Sequence, residues 1–273
     1  MLTKSQIQRI AQRNGVGMQV QERDYLQHLI LWLLYRRTQM LIFKGGTALR
    51  LVYGGSSFPH SNRYSEDLDF NGPEDTSELK ALWRDVVDGL EDFGIVAETR
   101  NSRCASLRND ERAWDSDVGY SFDVSFQGPL HDGRDRSKGK VRVDINQRQE
   151  EVATYRELVS SPYDDVRPFV VTALALDHLL AEKLRALLVR GKPRDLYDIW
   201  LLLRQGVEPD PALVERKLAL YHREWEREAL EEAIENLRAE WERDLRPLLP
   251  QFVPYEVARE RVESLLLSAR PRK

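Results

Sequence analysis

The sequence predicts an α/β (α+β) fold, a mixed sheet with leading helices followed by a C-terminal helical half. Residues 20–37 carry a one-sided helical pattern, and short alternating runs then recur as far as residue 146. Past about residue 172 every apolar pattern is helical and no run alternates. The boundary is expected between residues 150 and 168, where SSPYDDVRP supplies prolines and turn formers, giving domains 1–160 and 161–273.

Each element has a local reason. In residues 20–37, Tyr25, Leu26, Leu29, Ile30, Leu33 and Leu34 recur at three- and four-residue spacing, which is one face of a helix. Residues 40–43 form a first strand that ends at Lys44-Gly45-Gly46-Thr47, and Ala48, Leu49, Leu51 and Val52 begin a short helix that closes at Gly54-Gly55. Leu68 and Phe70 alternate with Asp67 and Asp69 in a second strand, which Asn71-Gly72-Pro73 breaks before an amphipathic helix over 76–93. Three further strands are expected at 95–101, 118–126 and 140–146, with an exposed Gly-, Asp-, Arg- and Ser-rich loop over 127–139. Helical patterns then cover 175–189, 194–204 and 211–245.

Composition narrows the class. The 273 residues include 41 Lys+Arg and 45 Asp+Glu, a net charge of −4, with 41% hydrophobic and 32% charged residues, which is the range of a folded chain. The most apolar stretch, LILWLLY at 29–35, is far shorter than the ~20 residues of a membrane helix. No apolar signal-peptide core is read at the start, so a cytoplasmic location with no membrane partner is expected. The single cysteine, Cys104, makes neither an internal disulfide nor a cysteine metal site. A net acidic chain does not coat nucleic acid, so any such contact must be local.

Five features carry chemistry. In a strand, Asp67 and Asp69 point the same way while Leu68 and Phe70 face the core; the two carboxylates suit a divalent cation, or simply a solvated edge. In VRVDIN, Asp144 shares a face with Arg142 and Asn146, and is either a third metal-binding carboxylate or an acid paired to Arg142 or Arg148. Gly45-Gly46-Thr47 stands at a strand-to-helix turn where backbone can approach a phosphate closely, although the P-loop pattern is absent. Lys183 lies inside the apolar arc of Leu176, Leu179, Leu180, Leu184 and Leu187, so its charge must reach the rim or meet an anion. Asp195 and Asp198, in the first turns of the helix opened by Pro193, either complement its dipole or fix Lys183 or an arginine.

FKGGTALRLVYGG (43–55) followed by RYSEDLDF (63–70) resembles the nucleotidyltransferase toxins of the AbiEii/AbiGii family, within the DNA polymerase β-like superfamily. QERDYLQHLILWLLY is similar to the family's leading helix, KVRVDINQ to its third-acid strand, AEKLRALLVRG to its lysine helix and KPRDLYDIWLLL to its last motif. The resemblance implies a polymerase β-like sheet packed on a helical half, with an NTP donor and a two-ion Mg²⁺ site. It implies that Gly45, Gly46, Thr47 and Ser65 bind nucleotide and that Asp67, Asp69 and, less dependably, Asp144 ligate metal. Lys183 would contact the triphosphate, with Asp195 or Asp198 as a downstream acid. One departure is a long stretch between Thr47 and Asp67, expected to hold an extra loop over 54–62.

Family members usually act as the toxin of a toxin–antitoxin or phage-defence pair, with an antitoxin protein as partner, and relatives add nucleotides to the tRNA 3′ end. An RNA acceptor is therefore expected here, supported by Arg134, Arg136, Lys138, Lys140 and the tail at 270–273, which ordinary solvation explains as well. The alternatives are nucleotidyl transfer to a protein or small molecule, or a non-catalytic nucleotide- or partner-binding module.

Overall fold

A computed structural model describes residues 1–54, 63–104, 119–148 and 150–266. The chain divides into two units, the first ending at Ala173 and the second beginning at Leu174. The first holds helices α1 (Lys4–Asn14), α2 (Met18–Tyr35), α3 (Gly45–Leu51) and α4 (Thr76–Asp88) and seven strands: β1 (Ile42–Lys44), β2 (Asp67–Asn71), β3 (Val96–Cys104), β4 (Tyr120–Gln127), β5 (Gly139–Asn146), β6 (Thr154–Val159) and β7 (Phe169–Leu174). They form one mixed sheet in the order β3-β4-β5-β2-β1-β7-β6. β2 runs antiparallel to β1 and parallel to β5, and β7 runs parallel to β1.

The alternation in β2 places Leu68 and Phe70 in the core, both fully buried. An aromatic chain ties the elements together: Phe43 of β1 lies 5.5 Å from Phe70 of β2, Phe70 5.9 Å from Trp83 of α4, and Trp83 5.1 Å from Phe122 of β4. Such pairs contribute about 0.5–1.5 kcal/mol each beyond their burial. α2 buries Tyr25, Leu26, Leu29, Ile30 and Leu34 completely, and it also buries a polar set, Gln21, Glu22, Asp24, Gln27 and His28.

One strand, β6, lies in the stretch expected to hold the boundary, and a second, β7, follows directly after it. β7 is a buried apolar run that extends the sheet beyond β1, and β6 is its exposed outer neighbour, with only Val159 buried. The first unit therefore runs about a dozen residues past the expected boundary at 160/161. The helix expected over 76–93 is α4 followed by a 3-10 turn, Gly89–Phe93. The expected extra loop over 54–62 falls almost wholly outside the described residues, as does the tail at 270–273.

The second unit is helical: α5 (Leu176–Arg190), α6 (Pro193–Arg204), α7 (Pro211–Ala219), α8 (Arg227–Glu235), α9 (Arg238–Leu245) and α10 (Tyr255–Leu266). The single pattern over 211–245 is thus three helices. The first is capped by the Asp210 carboxylate, and the break after it contains His222 at φ +53°. Trp241, 1% exposed, packs on Tyr197 and Tyr255 and donates its indole N–H to the Val253 carbonyl at 2.8 Å, so its apolar side is used within the chain.

Candidate active site

The turn from β1 into α3 is built against the acid strand. Register pairs Lys44 with Asp69, and Gly45 follows at φ +75°, a conformation that side chains strain to adopt. A Cβ on Gly45 would stand 2.0 Å from Asp69 Oδ2, so the carboxylate occupies the space a side chain would fill. A Cβ on Gly46 would stand 2.3 Å from a terminal nitrogen of Arg63, a buried guanidinium that also donates to the Tyr64 carbonyl. Thr47, expected to hold phosphate, is fully buried and donates its hydroxyl to the Asp67 backbone carbonyl at 2.5 Å. Its hydroxyl therefore ties the glycine turn to β2. Ser65 is buried, and its carbonyl accepts from Gln27 Nε2 at 3.1 Å.

On the other side of β2, the register with β5 pairs Asp67 with Arg142 and Asp69 with Asp144. Paired residues of neighbouring strands share a face about 4.8 Å apart, so two carboxylates confront each other there. Burial, and then the Asp69 charge, push the Asp144 carboxyl above its ordinary range against the opposing pull of Arg142. Arg142 donates Nε to Asp144 at 2.9 Å, one terminal nitrogen to Ser121 at 2.7 Å and the other to Asp123 at 3.3 Å. Burial alone would raise Asp123, but Asn101, Lys140 and Arg142 outweigh it and hold that carboxyl below the usual value.

Among the described residues, no group of three or more His, Cys, Asp or Glu side chains is placed to hold a metal ion. Asp144, expected as a third ligating carboxylate, stands opposite Asp69 in register and has its carboxylate engaged by Arg142. Asp67 and Asp69 still suit a cation of the Mg²⁺ kind, which is usually held by one or two carboxylates while substrate phosphates and water complete its shell.

In the second unit, Lys183 is 7% exposed, and its ammonium lies 2.7 Å from Asp198 and 3.6 Å from Asp195. Arg190 grips Asp195 through two parallel bonds of 2.9 and 2.8 Å. Both acids are buried, and their pairs with Lys183 and Arg190 join α5 to α6. The acids fix Lys183 and an arginine, which is one of the two roles their spacing allows.

The basic hairpin over 127–139 is largely neutralised locally. Arg134 pairs with Asp132 at 2.9 Å, Lys138 with Asp135 at 2.8 Å and Glu98 at 3.2 Å, and Lys140 lies 3.7 Å from Asp123. Arg63 and Arg142 belong to the site although sequence reasoning assigned neither a place in it. Arg142 was legible only as a partner of Asp144, and the burial of Arg63 against Gly46 carries no local signal.

A glycine turn packed on an Asp-x-Asp strand serves transfer of a phosphate-bearing group, and this places the protein among the nucleotidyltransferases. A model described as "Nucleotidyl transferase AbiEii toxin, Type IV TA system" matches residues 32–266, and the chain belongs to that family. The family implies an NTP substrate, a divalent metal and an antitoxin partner. The fold is similar to that of MenT4, the nucleotidyltransferase toxin Rv2826c from Mycobacterium tuberculosis H37Rv, with 21% identity, 97% of this chain and 90% of that one covered, and a TM-score of 0.69. JHP933 from Helicobacter pylori matches at 18% identity, 92% of each chain and a TM-score of 0.55. A crystal structure described as a "putative nucleotidyltransferase from H. pylori" matches at 17% identity, 94% and 100% coverage and a TM-score of 0.51. No curated sequence matches the chain. Among the described residues no helix is long and apolar enough to cross a membrane.

Proposed function

We propose that this toxin transfers a nucleoside monophosphate from an NTP to the 3′ hydroxyl of an RNA acceptor, tRNA, with Mg²⁺ as the metal. The observation that carries the reading is the contact of Gly45 with the Asp69 carboxylate, which holds a bare stretch of backbone beside the Asp67-Asp69 pair. Asp67 and Asp69 hold the metal, and the backbone of Gly45 and Gly46, with the Arg63 guanidinium at Gly46, receives phosphate oxygens. When bound, the metal supplies charge neutralisation of the phosphates and lowers the pKa of the attacking hydroxyl. Lys183, held by Asp198 and Asp195, is the residue that the family resemblance assigns to the triphosphate. The acceptor oxygen forms a bond to the α-phosphorus while the bond to the bridging oxygen breaks, and pyrophosphate leaves. Catalysis is positioning and electrostatics, since no covalent intermediate with the protein is needed.

The test is incubation with Mg²⁺, each α-³²P-NTP separately and total tRNA, beside Asp69→Asn. Label on tRNA from one NTP, reduced at least about 100-fold in the variant, is expected. Label on polypeptide, or none on RNA from any NTP, overturns the RNA reading.

A further inference from the structure

A second pocket of about 690 Å³ opens in the first unit at the end of the β1–β7 strand pair opposite the glycine turn. It is lined by Trp32, Arg36, Phe93, Arg156, Asp165 and Arg167, among others, and its size is that of an ordinary small-ligand site. Arg36, Arg156 and Arg167 are exposed and make no ion pair among the described residues, in contrast to the paired cations of the 127–139 hairpin. Three guanidiniums against one carboxylate leave this pocket positive on a chain of net charge −4.

Its aromatic wall is ordered. The Trp32 ring meets Phe93 edge-on at 5.6 Å, and the Arg36 guanidinium lies 4.3 Å above the Trp32 ring centroid. A guanidinium held over an indole leaves its other side for a further aromatic ring. Asp165 adds an acceptor. Its Oδ2 is taken by the Tyr25 hydroxyl and lies 3.9 Å from the Met1 ammonium, while Oδ1 has no hydrogen-bond partner among the described residues, which suits an N–H donor. The other polar lining groups are spent: Gln39 bonds Tyr35, Val170 and Thr172, and the Tyr35 hydroxyl bonds Leu41.

Unpaired arginine forks, a stacked guanidinium and a lone buried acceptor together recognise a phosphate joined to a flat, amino-bearing ring. We infer that this pocket binds a nucleoside monophosphate unit, remote from the Asp67-Asp69 pair. Arg156 and Arg167 clamp the phosphate, Arg36 on Trp32 stacks the base, and Asp165 accepts from a base N–H. The unit is either a free mononucleotide or one nucleotide of an RNA chain. The inference does not depend on the proposed transfer reaction, because binding requires no turnover.

The test is titration calorimetry of the full chain in EDTA with AMP, with GMP and with total tRNA. Wild type is compared with Arg156→Ala/Arg167→Ala and with Arg156→Lys/Arg167→Lys, all at exposed positions where folding is preserved. At least one probe is expected to saturate a site whose affinity falls about tenfold or more in the alanine pair, and partly in the lysine pair, which keeps charge and loses the fork. Loss with AMP or GMP identifies a free nucleotide; loss with tRNA alone identifies an RNA unit. Equal affinities in wild type and the alanine pair for all three probes, or no binding of any, overturns the inference even where NTP transfer is active.

Discussion

Gly45 and Gly46 are neighbours with different obligations. Gly45→Ala must hold φ near +75° and fit a methyl group where the Asp69 carboxylate lies. The left-handed conformation costs about 1–2 kcal/mol, and overpacking adds a comparable amount. Gly46→Ala meets only the far end of Arg63, which can swing aside. Urea unfolding is expected to show the larger loss of stability for Gly45→Ala, and the opposite order would refute the packing described. In the second unit, Asp198→Ala leaves buried Lys183 with Asp195 alone, already shared with Arg190. A loss of about 3 kcal/mol is expected in the same assay. The sequence shows why these positions matter unevenly. Period-two alternation exposes the Asp67-Asp69 pair, and a helical wheel exposes Lys183 as a charge on an apolar arc. The partners of Arg63 and Arg142 depend on strand register and chain folding, which neither periodicity encodes.

At the scale of elements, the glycine turn is steadied from behind by a buried polar joint between α2 and α3. Arg50 of α3 donates to Asp24 Oδ1 at 2.9 and 2.7 Å and covers the Tyr64 ring at 3.6 Å, while the Tyr163 hydroxyl donates to Asp24 Oδ2 at 2.6 Å. Burial would raise Asp24, but Arg50, His28 and Tyr163 prevail and hold it below its ordinary value. Burial holds His28 below its ordinary value despite Asp24. Both groups therefore bind fewer protons folded than unfolded. Their contributions are present above the unfolded pKa values, near 6.5 for His28 and 3.8 for Asp24, and are lost as pH falls. Unfolding free energy is expected to decline from pH 7 toward pH 5, with a shallower slope in His28→Asn. An unchanged slope would remove His28 from the account. The strands left unread belong to this scale too. β7, FVVTAL, is a short, mostly buried parallel strand whose largely apolar run is ambiguous between strand and helix. β6 turns almost every side chain to solvent, with Tyr155 and Leu158 among the exposed, and so shows no inward face to count. The elements with an amphipathic pattern, from α2 to β5 and from α5 to α6, were legible to within a few residues.

For the whole molecule, the groups proposed to act lie in both units. Asp67 and Asp69 are on the sheet, and Lys183 with its two acids is in the helical unit, each set supported by its own core. A nucleotidyl-transfer toxin should then lose its effect through either unit without losing its fold. Expression of the wild-type chain is expected to arrest bacterial growth, whereas Asp69→Asn and Lys183→Met should both permit it. Asp69→Asn keeps the shape beside Gly45 and removes only charge. Lys183→Met keeps an apolar stem within the arc of leucines but removes the ammonium that pairs with buried Asp198, so its soluble yield and melting temperature must be measured beside growth. If Lys183→Met stays folded and toxic while Asp69→Asn is harmless, the lysine cluster is structural and the chemistry belongs to the sheet alone. If Asp69→Asn remains toxic at wild-type abundance, the harm does not come from nucleotidyl transfer, and a binding activity of the chain must account for it.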